Sequence, residues 1–263
     1  MTDLPYRTAS AATMQALSNR RRVRAAAATH VGLVRDRNED SLGIAGWSAC
    51  GSNHVEVCGT FEAPEPLVTL VADGLGGHAA GDVASRRAVD FLMTNASNLV
   101  EAAAVEVVLR QADALISAEG ARRGETANMG STVAGVVLVG TQVHVFNVGD
   151  SSVWRVVDGY AGILSRDDRP PLAPGQPAGP VVRAVGQCFG GGGIGSLMPH
   201  VRTIEIEQGD RFVIASDGLT DLVDIERIGG TGAGTLEGTA RALIDAALGA
   251  GGYDNISVIV LDV

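Results

Sequence analysis

At 263 residues with a formal net charge of −10, the chain is too acidic for a general nucleic-acid binder, whose footprint is basic. Hydrophobic residues make up 46% and charged ones 19%, which indicates a globular chain with a substantial core. Only 4% is aromatic, so Val, Leu, Ile and Ala must build that core. All 20 basic residues are Arg, which excludes lysine chemistry. Cys50, Cys58 and Cys188 lack the paired spacing of a zinc site.

Residues 1–24 hold five Arg against the single acid Asp3 and show no strong periodicity. They are expected to form a flexible basic tail, helical near Ala11–Leu17, ahead of one domain over 25–263. Strand signals run from Ala25 to Val34, over Ser41–Ala49 and over Leu67–Ala72. Two helices follow, over Ala79–Ala96 and Leu99–Ala118. The first would bury Val83, Ala84, Ala88, Phe91 and Leu92. The second would bury Val100, Ala104, Val107, Val108 and Leu115, with Gln111 as one polar member of the stripe. Four strands come next, Ser131–Val139, Gln142–Val148, Ser152–Val157 and Tyr160–Leu164, with Gly140-Thr141 and Asp158-Gly159 as hairpin turns. Residues 165–200 are rich in Pro and Gly and are expected to be a long surface excursion. Strands at Val201–Glu207 and Arg211–Ala215, a helix at Leu236–Leu248 and a strand at Ile256–Val263 complete the chain. Strands and helices do not alternate, so the fold class is α+β, not a parallel α/β sheet. No apolar run reaches the roughly 18 residues of a membrane span, and the N-terminus lacks the apolar stretch of a signal peptide. A soluble protein of the reducing cytoplasm is the expectation.

Acids recur where apolar strands end. Asn38-Glu39-Asp40 lies between two strands, Asp73-Gly74 follows VTLVA, Asp150 follows HVFNVG, and Asp217-Gly218 follows RFVIAS. Asp254-Asn255 directly precedes the last strand. Each acid alone reads as a turn or cap residue. Five in such positions suggest that strand tips converge, and converging carboxylates repel unless cations such as Mg²⁺ or Mn²⁺ sit between them.

Six segments carry a further resemblance: VRDRNEDS (Val34–Ser41), VADGLGGHAAGDVAS (Val71–Ser85), MGSTVAG (Met129–Gly135), NVGDS (Asn147–Ser151), ASDGL (Ala215–Leu219) and YDNISVIV (Tyr253–Val260). In this order they resemble the metal-dependent protein phosphatases (the PPM family, type 2C serine/threonine phosphatases), in their bacterial form. The resemblance covers nearly the whole chain from Ala25. It implies a four-layer αββα sandwich, two antiparallel sheets packed face to face with helices outside, and a pair of Mn²⁺ or Mg²⁺ ions at one end. It also implies hydrolysis of phosphoserine and phosphothreonine by a water or hydroxide shared between the two ions. On this resemblance Asp73 bridges both ions, the Gly74 carbonyl binds one, and Asp217 and Asp254 bind the other. Glu39 and Asp40 act around the site, partly through bound water, and Asp150 joins Asp217 at a third, weaker ion. Arg35 matches the arginine that holds the substrate phosphate through bidentate donors; read from the residues alone, it balances Glu39 equally well. Phosphorylated proteins, including those of a cognate serine/threonine kinase, are the implied partners.

The chain departs from the family in three places. Leu75 stands where animal and plant members have a proton-donating His, which leaves His78 or a bound water as candidate acids. Ser152 replaces the usual Arg after the GDS serine. SRDDRPPL (Ser165–Leu172) replaces the usual Asp-His-Ser segment, and its Asp167 and Asp168 read as solvated loop acids. Because every metal-binding acid survives, a non-catalytic phosphoprotein-binding domain is the weaker alternative. The run GGGGIGS (Gly190–Ser196) lacks the strand-before, helix-after context of a nucleotide cradle. His30, His54, His144 and His200 have ordinary strand or loop explanations.

Overall fold

The computed structural model describes residues 20–76, 80–124, 129–170, 184–191, 196–207 and 209–263. Residues 1–19, His78 and, within the Pro/Gly-rich excursion expected over 165–200, residues 171–183 and 192–195 lie outside them.

Two six-stranded sheets form the centre. One has the order β11 (Tyr160–Ile163), β10 (Ser152–Val157), β13 (Arg211–Ala215), β14 (Ile256–Asp262), β1 (Arg20–His30), β4 (His54–Pro64). The other has the order β12 (His200–Glu205), β9 (Gln142–Val148), β8 (Val133–Val139), β5 (Leu67–Ala72), β2 (Ser41–Ile44), β3 (Trp47–Cys50). Every pairing is antiparallel. A two-stranded ribbon, β6 (Gly74–Leu75) with β7 (Gly130–Ser131), extends the second sheet's end.

Alternation decides which core each side chain enters. Along β1, Val23, Ala25 and Ala27 face the other sheet and pack with Leu42, Val71, Val136, Phe212 and Ile259. Ala26 and Ala28 point the other way, onto helix α5 (Leu236–Gly249) and its neighbours α3 (Asp217–Thr220) and α4 (Ile225–Gly232). Helices α1 (Gly81–Thr94) and α2 (Ala102–Arg123) cover the second sheet through Val68, Leu70, Leu92, Leu109 and Phe146. The result is the expected αββα sandwich.

Several local expectations change. The basic stretch does not remain a tail up to residue 24: β1 begins at Arg20. Its arginines meet acids of β4 and of the turn after it, with Arg20 Nε 2.7 Å from Glu62, Arg22 Nη2 3.1 Å from Glu62 and Arg21 Nε 2.6 Å from Glu65. That strand ends at His30 and does not continue to Val34, because Gly32 turns the chain with φ +86°. The run Ser41–Ala49 is a hairpin, folded at Ala45-Gly46, both with positive φ. Strand β4 and helices α3 and α4 were not expected. Helix α2 buries Val105, Val108, Leu109, Ala112 and Ile116, a face one residue on from the expected stripe. Val100 and Val107 are exposed, because an Ala- and Val-rich helix offers two apolar stripes of equal claim.

Candidate metal centre and active site

The sheet registers bring the acids together. Ser41 pairs with Ala72, so Asp40 and Asp73 are neighbours at the β2/β5 end. Ser152 pairs with Ala215, which sets Asp150 beside Asp217 across β10 and β13. Strand β14 runs between β13 and β1 and carries Asp254 at its approach. The Thr132 backbone N–H donates to the Asp73 carbonyl at 2.9 Å and fixes the chain where it leaves β5. At Gly74 a Cβ would lie 2.7 Å from the Glu39 carbonyl and closer still to the Gly81 carbonyl, so only glycine lets these three segments meet.

The carboxylates perturb one another as close neighbours must. Burial first, then Asp40, Asp217, Asp150 and Asp254, push Asp73 well above the usual carboxylate range. Burial pushes Asp40 and Asp150 up to about 7, and burial with Asp254 pushes Asp217 up to about 6. Glu39 is also raised, by burial and then by Asp82. Buried acids with raised pKa values crowded at one point mark a functional site.

Among the described residues, no three His, Cys, Asp or Glu side chains already close on a single point as a finished ligand cage. The donor set nevertheless fits hard divalent cations. Asp40 Oδ1, Asp217 Oδ1 and both oxygens of Asp150 are buried without a hydrogen-bond partner. Such oxygens are costly unless something positive faces them. All the candidate ligands are oxygens, the donor type that Mg²⁺ and Mn²⁺ prefer.

Around this cluster a polar frame holds the loops. Asn255 Nδ2 donates to the Val31 carbonyl at 2.9 Å and the Arg37 carbonyl at 2.8 Å, while its Oδ1 accepts from Glu39 N at 2.8 Å. One side chain thereby spans the loop that presents Arg35. That arginine is exposed and its Nη2 donates to Asp254 Oδ2 at 2.7 Å, so its partner is Asp254 and not Glu39. Ser216 Oγ donates to Asp40 Oδ2 at 3.0 Å. Asp168 is no solvated loop acid: it accepts from Gly149 N and Gln187 Nε2, each at 2.8 Å, and meets His200 Nε2 at 2.7 Å. Asp167, which is exposed as expected, bonds Arg169. Asn255, Ser216, Asp168 and Arg169 had no role in the sequence reading. Only the doublet Asp254-Asn255 and the Ser before Asp217-Gly218 hinted at two of them.

A face-to-face αββα sandwich with acids gathered at one end of the strands is the architecture of the type 2C protein phosphatases. The chain belongs to that family: the sequence model described as "Protein phosphatase 2C" matches residues 58–242. Among its relatives, the serine/threonine protein phosphatase PstP of Mycobacterium tuberculosis is 28% identical over 92% of this chain and 45% of its own length. The chain thus spans about half the length of that relative. The serine/threonine phosphatase stp of Listeria monocytogenes is 28% identical over 89% of this chain and 93% of its own. The crystal structure of the Mycobacterium tuberculosis phosphatase PstP/Ppp matches with a TM-score of 0.75 at 27% identity, over 92% of this chain and 99% of that one. The PstP catalytic domain in complex with 2 manganese ions matches at 0.72 and 26% identity, over the same shares of the two chains. No helix among the described residues is long and apolar enough to cross a membrane.

Proposed function

We propose that this chain is a metal-dependent protein phosphatase acting on phosphoserine and phosphothreonine. The observation that carries the reading is the gathering of Asp40, Asp73, Asp150, Asp217 and Asp254 from separate strand ends, with Asp40 Oδ1 and Asp217 Oδ1 buried and without donors. The match to a PstP domain that holds 2 manganese ions supports a two-ion site here. Asp73, the Gly74 carbonyl, Asp217 and Asp254 would hold the two ions, Mn²⁺ or Mg²⁺, with Glu39 and Asp40 acting around them. When bound, such ions neutralise a phosphate dianion and acidify the attacking water.

The chain's own residues do the rest. Arg35 reaches the cluster from an exposed loop and presents a fork of donors suited to phosphate oxygens. Its hydrogen bond to Asp254 keeps the guanidinium over the acids until a substrate phosphate competes for it. Asn255 positions that loop through its three hydrogen bonds. The Ser216 hydroxyl orients Asp40, and its own oxygen is fixed by the Ser257 backbone N–H at 3.0 Å. Phosphorylated proteins, including those of a cognate kinase in the cytoplasm, are the substrates this reading gives it.

Hydrolysis of para-nitrophenyl phosphate and of a phosphothreonine peptide, with and without Mn²⁺, tests the proposal. Wild type should turn over both only with Mn²⁺, and Asp73→Asn should lose on the order of 10²–10³-fold, the scale of removing one electrostatic element of a preorganised site. A folded wild type that binds Mn²⁺ but hydrolyses neither would favour a phosphoprotein-binding role instead.

A further inference from the structure

Asp150 is 2% exposed, and neither of its carboxylate oxygens accepts a hydrogen bond. The guanidinium of Arg169 faces it, Nε 3.5 Å from Oδ2, on a side chain only 9% exposed. The same group donates to Asp167 Oδ2 through Nε at 3.1 Å and Nη2 at 3.0 Å, and to Asp221 through Nη1 at 2.7 Å. Three acids therefore share one fixed positive charge.

The backbone that carries Arg169 is strapped to the turn that carries Asp150. Asp168 N donates to the Gly149 carbonyl at 3.2 Å, and Gly149 N returns a bond to Asp168 Oδ2 at 2.8 Å. Two residues earlier, Arg166 N donates to Asn147 Oδ1 at 3.0 Å while Asn147 Nδ2 donates to the Arg166 carbonyl at 2.6 Å. Arg169 cannot swing away without breaking these ties or leaving Asp221 and Asp167. Nor can it lose its charge, because a guanidinium stays protonated in proteins.

We propose that Arg169 takes the place of a third metal ion, so that this chain carries two ions where its family resemblance implies two and a weaker third at Asp150 and Asp217. The inference rests on the two-ion phosphatase reading. A dication placed on Asp150 would meet a buried guanidinium already in contact with it, and like charges at that range repel strongly outside bulk water. The positive charge beside Asp217 is then permanent, whereas a weakly bound ion would come and go with metal concentration.

Equilibrium dialysis against millimolar Mn²⁺, followed by elemental analysis, counts the ions bound per chain. Wild type and Arg169→Lys should bind two. Arg169→Met, which keeps the bulk and removes the charge, should bind a third. Asp150→Asn, a near-isosteric change, should leave the count at two. A wild-type count of three, an Arg169→Met count of two in a folded variant, or a drop in Asp150→Asn would each overturn the inference while leaving the phosphatase reading intact. Should Arg169→Met fail to fold, the wild-type and Asp150→Asn counts still decide. A wild type that binds no Mn²⁺ at all would overturn both, so the wild-type count separates the two failures.

Discussion

Asp40 and Asp150 stand at two sides of the same acid cluster, equally buried at 1% and 2% exposure, and burial pushes both up to about 7. They are compensated by different means. Asp40 leans on neutral dipoles: Ser216 Oγ donates to it at 3.0 Å, and behind Ser216 run Ser257, the Thr29 hydroxyl 2.8 Å from Ser257 Oγ, and Asn38 Nδ2, 2.7 Å from Thr29. The Asp150 carboxylate accepts no hydrogen bond and faces a full positive charge instead. Hydroxyl dipoles serve a carboxylate whether or not a cation arrives, because they add no net charge. The buried guanidinium of Arg169 does the opposite, satisfying the acid and closing it to metal, whereas the exposed Arg35 is free to leave Asp254. The difference suggests that one side of the cluster is built to receive an ion and the other to do without one.

The largest effect expected from this arrangement is on stability against pH in metal-free protein. Asp40, Asp150 and Asp217 have folded-state pKa values of about 7, about 7 and about 6 against an ordinary 3.8. The fold therefore holds protons that the unfolded chain has released, and stability must fall as pH rises from near 4 to near 7, then level off. Urea midpoints of metal-free protein should be higher at about pH 5 than at about pH 8. Mn²⁺ should raise the midpoint more at the higher pH, because bound metal requires ionised carboxylates. A midpoint that climbs through this range without metal would show that the acids are not crowded as described.

Next in size is removal of Arg169. Taking one partner from a buried charge pair leaves the other uncompensated, at a cost of about 3 kcal/mol or more. Arg169→Met should lower metal-free stability by up to that amount at about pH 9, where Asp150 is ionised, and much less in acid, where it is protonated. Chemical denaturation at the two pH values measures the difference. An equal loss at both would mean that Arg169 contributes packing and not charge, and the contrast with Asp40 would collapse.

How much of this was legible in the sequence follows from where the information lies. Asp73, Asp217 and Asp254 could be read because an acid at the edge of an apolar strand, next to Gly or Asn, is a local signal. The sandwich could be read for the same reason, through short apolar runs bounded by turn residues, such as Val133–Val139 and Gln142–Val148 on either side of Gly140-Thr141. Strand β4 was missed although it alternates, Val55, Val57, Phe61 and Ala63 half-buried between exposed neighbours: as an edge strand it has no fully buried residue, and Gly59 interrupts its apolar face. Helix α2 was found but rotated by one residue, because Val107 and Val108 are equivalent in sequence and only packing separates them. Arg169 was invisible in its role, since two of the acids around it, Asp150 and Asp221, are 19 and 52 residues away in sequence and meet it only through the β10/β13 register.

The smallest effect belongs to the dipole side. Ser216→Ala removes one neutral donor from Asp40 and the acceptor of the Ser257 N–H, both buried. Near neutral pH, where part of the Asp40 population is protonated, the loss should be about 1–2 kcal/mol, the range for leaving buried hydrogen-bonding groups unpaired. Ser216→Thr keeps the hydroxyl and should recover part of it. The informative comparison is with Mn²⁺ present: if the dipoles serve a carboxylate that also holds metal or its bound water, Ser216→Ala should weaken Mn²⁺ binding as well as the fold, measured by calorimetric titration. Wild-type affinity for Mn²⁺ in the variant would confine Ser216 to a structural part and leave Asp40 outside the working site.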